Sequence, residues 1–291
     1  MTDLTDYKAV TELLRRHGFH FSKSMGQNFL TAAWVPERIA EEAYLTKEDG
    51  VLEVGPGVGC LTEQLARRAG KVLALELDRR LESVLAETLA EHDNVRIVFR
   101  DAVKTDLREL CRQELGDRPW KVCANLPYNV TSPLITAFLE ADCFESITVM
   151  VQKEVAERMC ASPRTGEYGA FSLLVQWYTE PERLFDVPPH CFVPQPKVTS
   201  AVVRMTRREK KPAAVLDQAF FFRVIRAAFN QRRKTLPNAL TAGIGGLDRP
   251  SAEAALAAAG ISARARGEEL SLEQFAALSN ALFRRSRPFS A

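Results

Sequence analysis

The sequence contains no apolar run that approaches the ~20 residues a membrane-spanning helix needs. Its first residues, Met1 to Asp6, are polar and acidic and lack the features of a secretory signal peptide. Hydrophobic residues make up 46% of the chain and charged residues 26%, proportions that are typical of globular proteins. We therefore expect a cytoplasmic protein, and its 291 residues are enough for one large domain and a smaller one.

Close pairs of metal ligands are also missing. The six cysteines are scattered, with none within four residues of another, and the four histidines do not complete a ligand set. His17 and His20 could share a helix face, but a surface pair is the better interpretation. The pattern GxxxxGK[ST], which cradles nucleotide phosphates, is absent as well. We expect reduced thiols and no metal.

Charge is divided unevenly along the chain, although the net charge is only +2. Residues 1–203 carry 23 basic and 30 acidic side chains, a net charge of −7, whereas residues 204–291 carry 16 and 7, a net charge of +9. A basic C-terminal part can bind a polyanion, or it can be a solvated surface without a partner. Charge alone leaves these two interpretations about even.

The order of apolar and amphipathic segments predicts an α/β fold. Helices are predicted at 6–17 and 34–45, and the polar segment 19–30 between them is predicted to be a loop. From Val51 onward strands and helices alternate, which indicates a mainly parallel sheet covered by helices on both faces. The predicted strands are 51–54, 71–77, 95–99, 120–124, 146–151 and a last one, which could be antiparallel, at 198–204; the helices are 60–69, 79–91, 106–114, 131–140, 153–160 and 170–178.

The C-terminal part has a different composition. Residues 204–212 are charged and end in proline, as linkers do. The sequence therefore predicts two domains, residues 1–208, which begin with cap helices and a loop over residues 1–45, and a smaller basic all-α domain, residues 209–291. The predicted helices of the second domain are 215–229, 231–240, 251–259 and 271–284.

Gly55, Gly57 and Gly59 follow directly on the first strand of the alternating series. Glycine there permits a tight turn and a close approach of a ligand to the backbone, at the sheet edge where open α/β folds bind ligands. The dinucleotide fingerprint G-x-G-x-x-G/A fits badly, because residue 60 is cysteine. A purely structural turn between strand and helix is the alternative.

Two acidic residues strengthen the cofactor interpretation. Glu76 lies near the end of the second strand, where a carboxylate can accept both hydroxyls of a ribose, and Asp78 is a weaker candidate for the same role. Asp101, followed by Ala102, closes the third strand, where an acid can accept the amino group of adenine. A glycine turn with acids in this order favours S-adenosylmethionine over a pyrophosphate cofactor.

Asn125, Leu126, Pro127 and Tyr128 follow the fourth strand and resemble the [Asn/Asp]-Pro-Pro-[Tyr/Phe] signature of amino-methyltransferases. The amino nitrogen of adenine is a poor nucleophile, because its lone pair is delocalised into the ring. The side-chain oxygen of Asn125 and the carbonyl of Leu126 can accept its two N–H groups and favour sp³ geometry. Pro127 fixes the turn, and Tyr128 can stack on an unstacked base. A turn merely capped by asparagine is the alternative.

Further segments narrow this interpretation. Together with the two turns, residues 26–30, 192–203 and 229–236 resemble the ribosomal RNA adenine N6,N6-dimethyltransferases over essentially the whole chain, and the small-subunit branch more than the branch that methylates 23S rRNA. Cys60 departs from the small residue expected there. The resemblance implies a Rossmann-like class I S-adenosylmethionine-dependent methyltransferase sheet with a smaller all-α domain. It also implies dimethylation of two adjacent adenosines in the 3′-terminal hairpin loop of 16S rRNA, late in small-subunit assembly.

The resemblance assigns roles to individual residues. Gln27, Asn28 and Leu30 are expected to close over S-adenosylmethionine. Either Phe192 or Phe171 could supply a second aromatic wall for the base, and the family favours Phe192. The residues expected to line the cofactor pocket are Gly55, Glu76, Asp101 and Asn125.

Basic residues of the C-terminal part are candidates for phosphate contacts. Arg232, Arg233 and Lys234 share a segment with an apolar face, and Arg207 and Arg208 are weaker candidates. A solvated helix is the alternative. The partner implied by the resemblance is 16S rRNA in a pre-30S subunit, and we expect a monomer.

Two other functions are compatible with parts of this pattern. A DNA adenine methyltransferase would need a sequence-reading domain, and the last 80 or so residues, roughly the predicted helical domain, show no zinc ligands and no clear reading helix. A catalytically idle assembly factor on the same fold is the second alternative. The intact acids and the intact acceptor turn argue against it.

Overall fold

The computed structural model describes residues 3–19 and 28–286. The strands in this part of the chain are β1 (Phe29–Leu30), β2 (Gly50–Val54), β3 (Lys71–Glu76), β4 (Val95–Phe99), β5 (Trp120–Asn125), β6 (Ser146–Gln152), β7 (Thr179–Val187), β8 (Phe192–Val193) and β9 (Ser200–Arg207). The α-helices are α1 (Tyr7–Arg16), α2 (Trp34–Glu42), α3 (Cys60–Arg68), α4 (Glu82–Thr88), α5 (Leu107–Leu115), α6 (Thr131–Ala141), α7 (Lys153–Cys160), α8 (Ala170–Tyr178), α9 (Gln218–Asn230), α10 (Leu236–Gly243), α11 (Arg249–Ala258) and α12 (Leu272–Ser286).

Seven of these strands form one sheet in the order β4-β3-β2-β5-β6-β9-β7. The pairs from β4 through β6 are parallel, and β9 runs antiparallel to β6. β2, β3 and β6 are buried almost throughout, which explains their near-continuous apolar sequence. The predicted α/β sheet is confirmed, and its parallel order brings the carboxyl ends of β2, β3, β4 and β5 to one edge.

Strands also lie in segments where none was predicted. β7 lies at the edge of the sheet, where Pro181 and exposed charged residues are tolerated, and these residues hide its pattern. β1 and β8 form a separate antiparallel ribbon, in which Phe29 pairs with Val193 and Leu30 with Phe192. Strands of two residues are too short to show a period, so no strand was predicted at either place, and residues 29–30 were predicted to be part of a loop.

Contacts divide the chain into two units. The first consists of residues 1–156 and 180–207, and the second of residues 157–179 and 208–291. The predicted boundary after residue 208 therefore misses an excursion through α8, which joins the second unit. The reason lies in its side chains: the ring of Trp177 packs 4.6 Å from that of Phe221, and its Nε1 donates to Gln218 at 3.2 Å. Nothing in the composition of residues 157–179 marks a linker.

Helix starts follow simple capping rules. The side chains of Asp6, Asp106, Asp217 and Asp248 accept backbone N–H groups three residues ahead, at 2.6–3.0 Å. α10 begins only at Leu236, with proline in its first turn, so residues 231–235 precede the helix that was predicted to contain them. The three basic residues at 232–234 therefore lie in the connection between α9 and α10.

No helix within residues 3–19 and 28–286 is long and apolar enough to cross a membrane. The same residues contain no group of three or more His, Cys, Asp or Glu side chains placed to hold a metal ion. All six cysteines carry free thiols.

Candidate functional site

A cavity of about 350 Å³ opens where β2, β3, β4 and β5 end. Residues that follow these strands form most of its wall, and the N-terminal segment 28–30 closes one side. Both turns that the sequence singled out contribute to it. The cavity therefore lies at the carboxyl edge of the sheet, as the strand order leads one to expect.

Three glycines turn the chain after β2 with positive φ angles, 74° at Gly55, 60° at Gly57 and 94° at Gly59. Gly55 and Gly57 line the cavity. A Cβ on Gly57 would lie only 3.1 Å from the ring of Phe29, so a side chain at this position would require the ring to shift. Gly59 differs from the prediction: it precedes α3, packs beside Leu89 and is not part of the cavity wall.

Glu76 lies on the cavity wall at the end of β3, and it is buried. Its Oε1 accepts the N–H groups of Leu77 and Asp78, both at 2.8 Å. Burial raises the pKa of Glu76, and the backbone donors oppose that shift. Asp78, the weaker candidate, binds the guanidinium of Arg80 at 2.6 and 2.8 Å and does not line the cavity. The geometry favours Glu76.

Asp101 and Ala102 line the cavity at the end of β4. The Asp101 side chain accepts the N–H of Val103 at 3.0 Å and so caps a short 3₁₀ turn. Among the apolar wall residues that had not been predicted, Leu77 is 59% exposed and Val103 is 42% exposed. Apolar side chains that line a pocket favour binding of a flat aromatic ring, which can pack against them. Their signal in the sequence is an apolar residue one or two positions after each acid.

Glu53, in the middle of β2, also reaches the cavity wall, and sequence reasoning gave it no role. It is 1% exposed, and its Oε2 has no hydrogen-bond partner among the described residues. Burial raises the pKa of Glu53 to about 8, the nearby Thr62 hydroxyl opposes the shift, and the Glu76 carboxylate adds to it. An unsatisfied buried polar group costs roughly 1–3 kcal/mol, so this oxygen marks a place for a donor or a cation. A charged residue within an apolar strand is the signal that could have revealed it.

Cys60 lines the cavity beside these carboxylates. Burial raises the pKa of its thiol to about 12, and the proximity of Glu53 contributes. The thiol therefore stays protonated near neutral pH, and Cys60 is a small packing residue rather than a nucleophile.

Asn28 and Leu30 lie on the cavity wall, and their contact with a cofactor stays a prediction, whereas Gln27 lies outside the described residues. Phe192 contradicts its prediction. It is 0% exposed, belongs to the core and is not part of the wall, because its pairing with Leu30 in the β1–β8 ribbon turns its side chain inward. Phe171, the other candidate for an aromatic wall, lies in α8 within the second unit.

Backbone hydrogen bonds hold the acceptor turn in place. The N–H of Leu126 donates to the carbonyl of Met150 in β6 at 3.1 Å. The carbonyl of Pro127 accepts the N–H of Val130 at 3.2 Å and the hydroxyl of Thr131 at 3.0 Å. With φ of the proline fixed as well, the turn has little freedom.

The side chains of the acceptor turn point functional groups at the same cavity. Asn125 donates its Nδ2 to the carbonyl of Asn28 at 3.4 Å, which leaves its Oδ1 as an acceptor. Tyr128 is half-buried on the wall, and its hydroxyl is hydrogen-bonded to that of Ser200. Burial raises the pKa of Tyr128, and the bond to Ser200 opposes the shift. The phenol is therefore neutral at physiological pH.

The two turns meet inside the cavity. A Cβ on Gly55 would lie 3.6 Å from the ring of Pro127 and 3.9 Å from the carbonyl oxygen of Asn125. Because Gly55 has no side chain, nothing from that turn separates the two. A ligand on the glycine turn would therefore lie beside a group held by the acceptor turn.

The wall residues fit S-adenosylmethionine. Glu76 and Asp101 offer carboxylates to ribose hydroxyls and to an adenine amino group, and Leu77 and Val103 offer apolar contacts to a purine. The unpartnered oxygen of Glu53 suits the cationic end of the molecule. Backbone without side chains at the glycine turn leaves room for it.

The basic triplet of the second unit is divided in its contacts. Arg233 and Lys234 are exposed, and within the described residues their side chains have no partner. Arg232 instead bonds within the protein: its Nε lies 2.9 Å from Glu268 Oε2, and its Nη2 donates to the carbonyl of Gly166 at 2.6 Å. Arg232 therefore links the loop that contains Gly166 to Glu268 within the second unit.

The two weaker basic candidates also make contacts inside the protein. Arg207 ends β9, and its Nε lies 3.3 Å from Asp142 Oδ1. Arg208 donates its Nε to the carbonyl of Gln176 at 2.9 Å. Both guanidinium groups are thus engaged before any RNA is bound, and a role in phosphate contact stays a prediction.

The chain matches a family described as ribosomal RNA adenine dimethylase over residues 18–283. Among curated proteins it is 48% identical over 284 residues to "Ribosomal RNA small subunit methyltransferase A" of Geobacillus kaustophilus, with 96% of this chain and 97% of the relative covered. The protein of the same name from Bacillus licheniformis is 47% identical over 275 residues, with 93% and 94% covered.

Solved structures give the same picture. The 23S rRNA methyltransferase ErmE is 31% identical, with a TM-score of 0.65, and the match covers 88% of this chain and all of that chain. A dimethyladenosine transferase from Plasmodium falciparum is 24% identical, with a TM-score of 0.73 and coverage of 86% and 95%, and it supports the fold alone.

Proposed function

The chain belongs to the family of ribosomal RNA adenine dimethylases, and we propose that the RNA it modifies is that of the small ribosomal subunit. It is an S-adenosylmethionine-dependent rRNA adenine dimethyltransferase. Relatives at 48% and 47% identity carry a small-subunit name, whereas the structure named for 23S rRNA is 31% identical, which supports the small subunit. Within 16S rRNA we propose two adjacent adenosines of the 3′-terminal hairpin loop as targets, methylated in the cytoplasm by a monomer on a late pre-30S subunit.

One observation carries the chemistry: the glycine turn and the acceptor turn lie next to each other on the wall of a single cavity. A transfer between two bound molecules is fastest when both are held in the reactive orientation. Such positioning can lower the activation barrier by several kcal/mol, on the order of 7–11 in the best cases. The methyl donor and the acceptor base would face each other where Gly55 lies beside Pro127.

The cofactor side of the cavity would be held by this chain's carboxylates and backbone. Glu76 would accept the ribose hydroxyls, and Asp101 the adenine amino group, with Leu77 and Val103 against the purine. S-adenosylmethionine supplies an electrophilic methyl group when bound. Glu53, with its unpartnered oxygen, would face the cationic part of the molecule.

The acceptor side would shape the adenine amino nitrogen into a nucleophile. Asn125 Oδ1 and the Leu126 carbonyl would accept its two N–H groups, which draws the nitrogen toward sp³ geometry. Tyr128 would stack on the base and contribute roughly 1–3 kcal/mol to its binding. The base must leave its stack to enter. No strong general base is needed, because the ammonium product loses its proton readily, so catalysis rests on positioning and electrostatics.

We propose that Arg233 and Lys234 contact RNA phosphates, and that Arg232 acts through the fold. Each phosphate contact contributes about one unit to the slope of log affinity against log salt. Arg233→Ala and Lys234→Ala should each weaken subunit binding and flatten that slope. Arg232→Ala should lower the thermal midpoint instead. If the slope of log affinity against log salt stayed unchanged in both variants, Arg233 and Lys234 would not contact RNA phosphates.

The decisive experiment is transfer of labelled methyl groups from S-adenosylmethionine, with the modified base mapped. The acceptors are unmethylated small subunits, large-subunit RNA and duplex DNA. Dimethyladenosine confined to the 3′-terminal hairpin of 16S rRNA is the expected result. Label in large-subunit RNA would assign the protein to the 23S branch, label in DNA would make it a DNA methyltransferase, and binding to subunits without transfer would leave an assembly factor.

A further inference from the structure

Ser200 makes a contact that the reaction above does not use. It opens β9, is 0% exposed and hydrogen-bonds through its hydroxyl to the hydroxyl of Tyr128. The two residues are 72 positions apart in the sequence. Ser200 is paired in register with Gln152 of β6, and the N–H of Lys153 donates to the carbonyl of Thr199 at 3.0 Å. The position of Ser200 beside the carboxyl end of β6 is therefore fixed by its neighbours.

Tyr128 is held at both ends as a result. Its backbone follows Pro127 in a turn that is bonded to β6 through Leu126, and its far end is bonded to Ser200. An aromatic ring pivots about two side-chain torsions, so a hydrogen bond at the hydroxyl, the atom farthest from the backbone, restricts its angle most. A ring on which the acceptor base stacks during transfer benefits from being held at one angle beforehand, because correct placement of the reacting nitrogen lowers the barrier to the chemical step.

The serine is not explained by packing. Residues 201–203, which follow it, are apolar and fully buried, and a small apolar residue would fill the position without a hydroxyl to satisfy. A buried hydroxyl without a partner costs roughly 1–3 kcal/mol, and the bond to Tyr128 removes that cost at Ser200. Thr148 of β6 provides a contrast in the same sheet: it is equally buried, yet its hydroxyl has no partner in the described part of the chain.

We propose that Ser200 is a positioning residue for methyl transfer, and that its hydroxyl sets the angle of the Tyr128 ring on which the acceptor adenine stacks. This inference rests on the proposed function, because it assumes that the base enters at the acceptor turn. It assigns to β9, which runs antiparallel to β6, a direct part in shaping the acceptor site.

The test compares Ser200→Ala with Thr148→Val, which removes a buried hydroxyl of the same sheet that has no bond. Methyl transfer to unmethylated small subunits is measured under saturating S-adenosylmethionine. Ser200→Ala should lower kcat about tenfold, as expected for loss of one aligned hydrogen bond, with KM for the subunit and cofactor affinity within about twofold. Ser200→Thr, which keeps the hydroxyl, should recover most of the activity, and Thr148→Val should behave as the wild type.

A coupling measurement separates positioning from general damage. Tyr128→Phe removes the same bond from the other side, so the double variant Ser200→Ala/Tyr128→Phe should be no slower than the slower of the two single variants. Fully additive losses would overturn the proposal. So would a Ser200→Ala enzyme with wild-type kcat, or one in which KM alone rises.

A readout without RNA keeps the two proposals distinguishable. The chain has five tyrosines, so 3-fluorotyrosine labelling gives few fluorine signals, and Tyr128→Phe identifies the one of interest. That signal should move in Ser200→Ala and stay in Thr148→Val. If the wild type fails to methylate small subunits but the signal moves, the proposed function fails and the bond stands. If the wild type methylates and the signal does not move, the role of Ser200 is refuted.

Discussion

After β2 the chain turns on glycines, and after β5 it turns on a proline that is surrounded by hydrogen bonds. The glycine turn presents backbone at positive φ and carboxylates from neighbouring strands. The acceptor turn presents side-chain atoms, the Oδ1 of Asn125 and the ring of Tyr128, on a backbone that is bonded on both sides. Both turns line one cavity. The glycine side of the cavity offers room and negative charge to a ligand, whereas the acceptor turn offers hydrogen-bond acceptors in fixed positions.

This difference predicts different kinetic roles. Space and charge bind a cofactor in its ground state, so changes at the glycine turn should alter affinity. Aligned acceptors act on a nitrogen that changes geometry during transfer, so changes at the acceptor turn should alter kcat. Three substitutions test this division, beginning with the largest expected effect, and Glu53→Gln tests the charge on the cofactor side of the cavity.

Asn125→Ala should have the largest effect on the reaction. It removes the side-chain acceptor for the adenine amino group, and loss of one such preorganised group costs about 100- to 1,000-fold in kcat. Single-turnover transfer to small subunits measures the loss. The thermal shift produced by S-adenosylmethionine is the control and should persist. If cofactor affinity fell by as large a factor as kcat, Asn125 would belong to the cofactor site, and the division between the turns would be wrong.

Glu53→Gln should change how stability depends on pH. Below the ordinary pKa of 4.5 the carboxyl is protonated in both the folded and the unfolded chain, and its contribution to stability is fully present. As pH rises, the unfolded chain ionises first, and stability is lost until the folded pKa of about 8 is passed. The loss is on the order of 3 kcal/mol by pH 7 and is absent in the glutamine variant.

The measurement is the thermal midpoint of both proteins from pH 4.5 to pH 8 without cofactor. The midpoint of Glu53→Gln should rise relative to the wild type across this range, by roughly 5 °C. Glu140→Gln, on the exposed surface of α6, is the matched control and should follow the wild type. A constant difference between Glu53→Gln and the wild type would show that Glu53 ionises normally.

Glu76→Gln should weaken S-adenosylmethionine binding by about 10- to 100-fold, because hydrogen bonds to a charged acceptor contribute about 1.5–3 kcal/mol. Calorimetric titration with the cofactor measures the change, and kcat at saturating cofactor should stay within a few-fold. Asp78→Asn is the matched control, because the Asp78 carboxylate binds Arg80 and does not line the cavity. If Asp78→Asn weakened binding as much, the assignment of Glu76 would fail.

The parts of this site that the sequence reveals are those encoded locally. Buried parallel strands are apolar throughout, and the residues that end them are glycine, acid or asparagine with proline, so Glu76, Asp101 and the acceptor turn were predictable. Glu53 was not, because it lies inside a strand, and only the face it takes in the sheet brings it to the cavity. Leu77 and Val103 were missed because exposed apolar residues are common on any protein surface.

The parts that sequence reasoning missed depend on pairing between distant segments. Phe192 looked like an aromatic wall beside a proline-rich turn, but its pairing with Leu30 places it in the core. The excursion of α8 into the second unit depends on the packing of Trp177 against Phe221, far along the chain. Neither feature leaves a periodicity or a composition that could be recognised in one sequence.

Gly57→Ala has the smallest expected effect and tests the glycine turn alone. The variant places a side chain at φ 60°, which costs about 1 kcal/mol, and brings a methyl group within 3.1 Å of the Phe29 ring that covers the turn. Gly260→Ala is the matched control: its φ is 69°, but no heavy atom lies within 4 Å of the added Cβ. Both variants should lower the thermal midpoint similarly. Only Gly57→Ala should also weaken S-adenosylmethionine binding, by about tenfold, while kcat at saturation stays near that of the wild type. Equal cofactor affinity in the two variants would mean that strain, and not the space reserved beside Phe29, is what the glycine turn contributes.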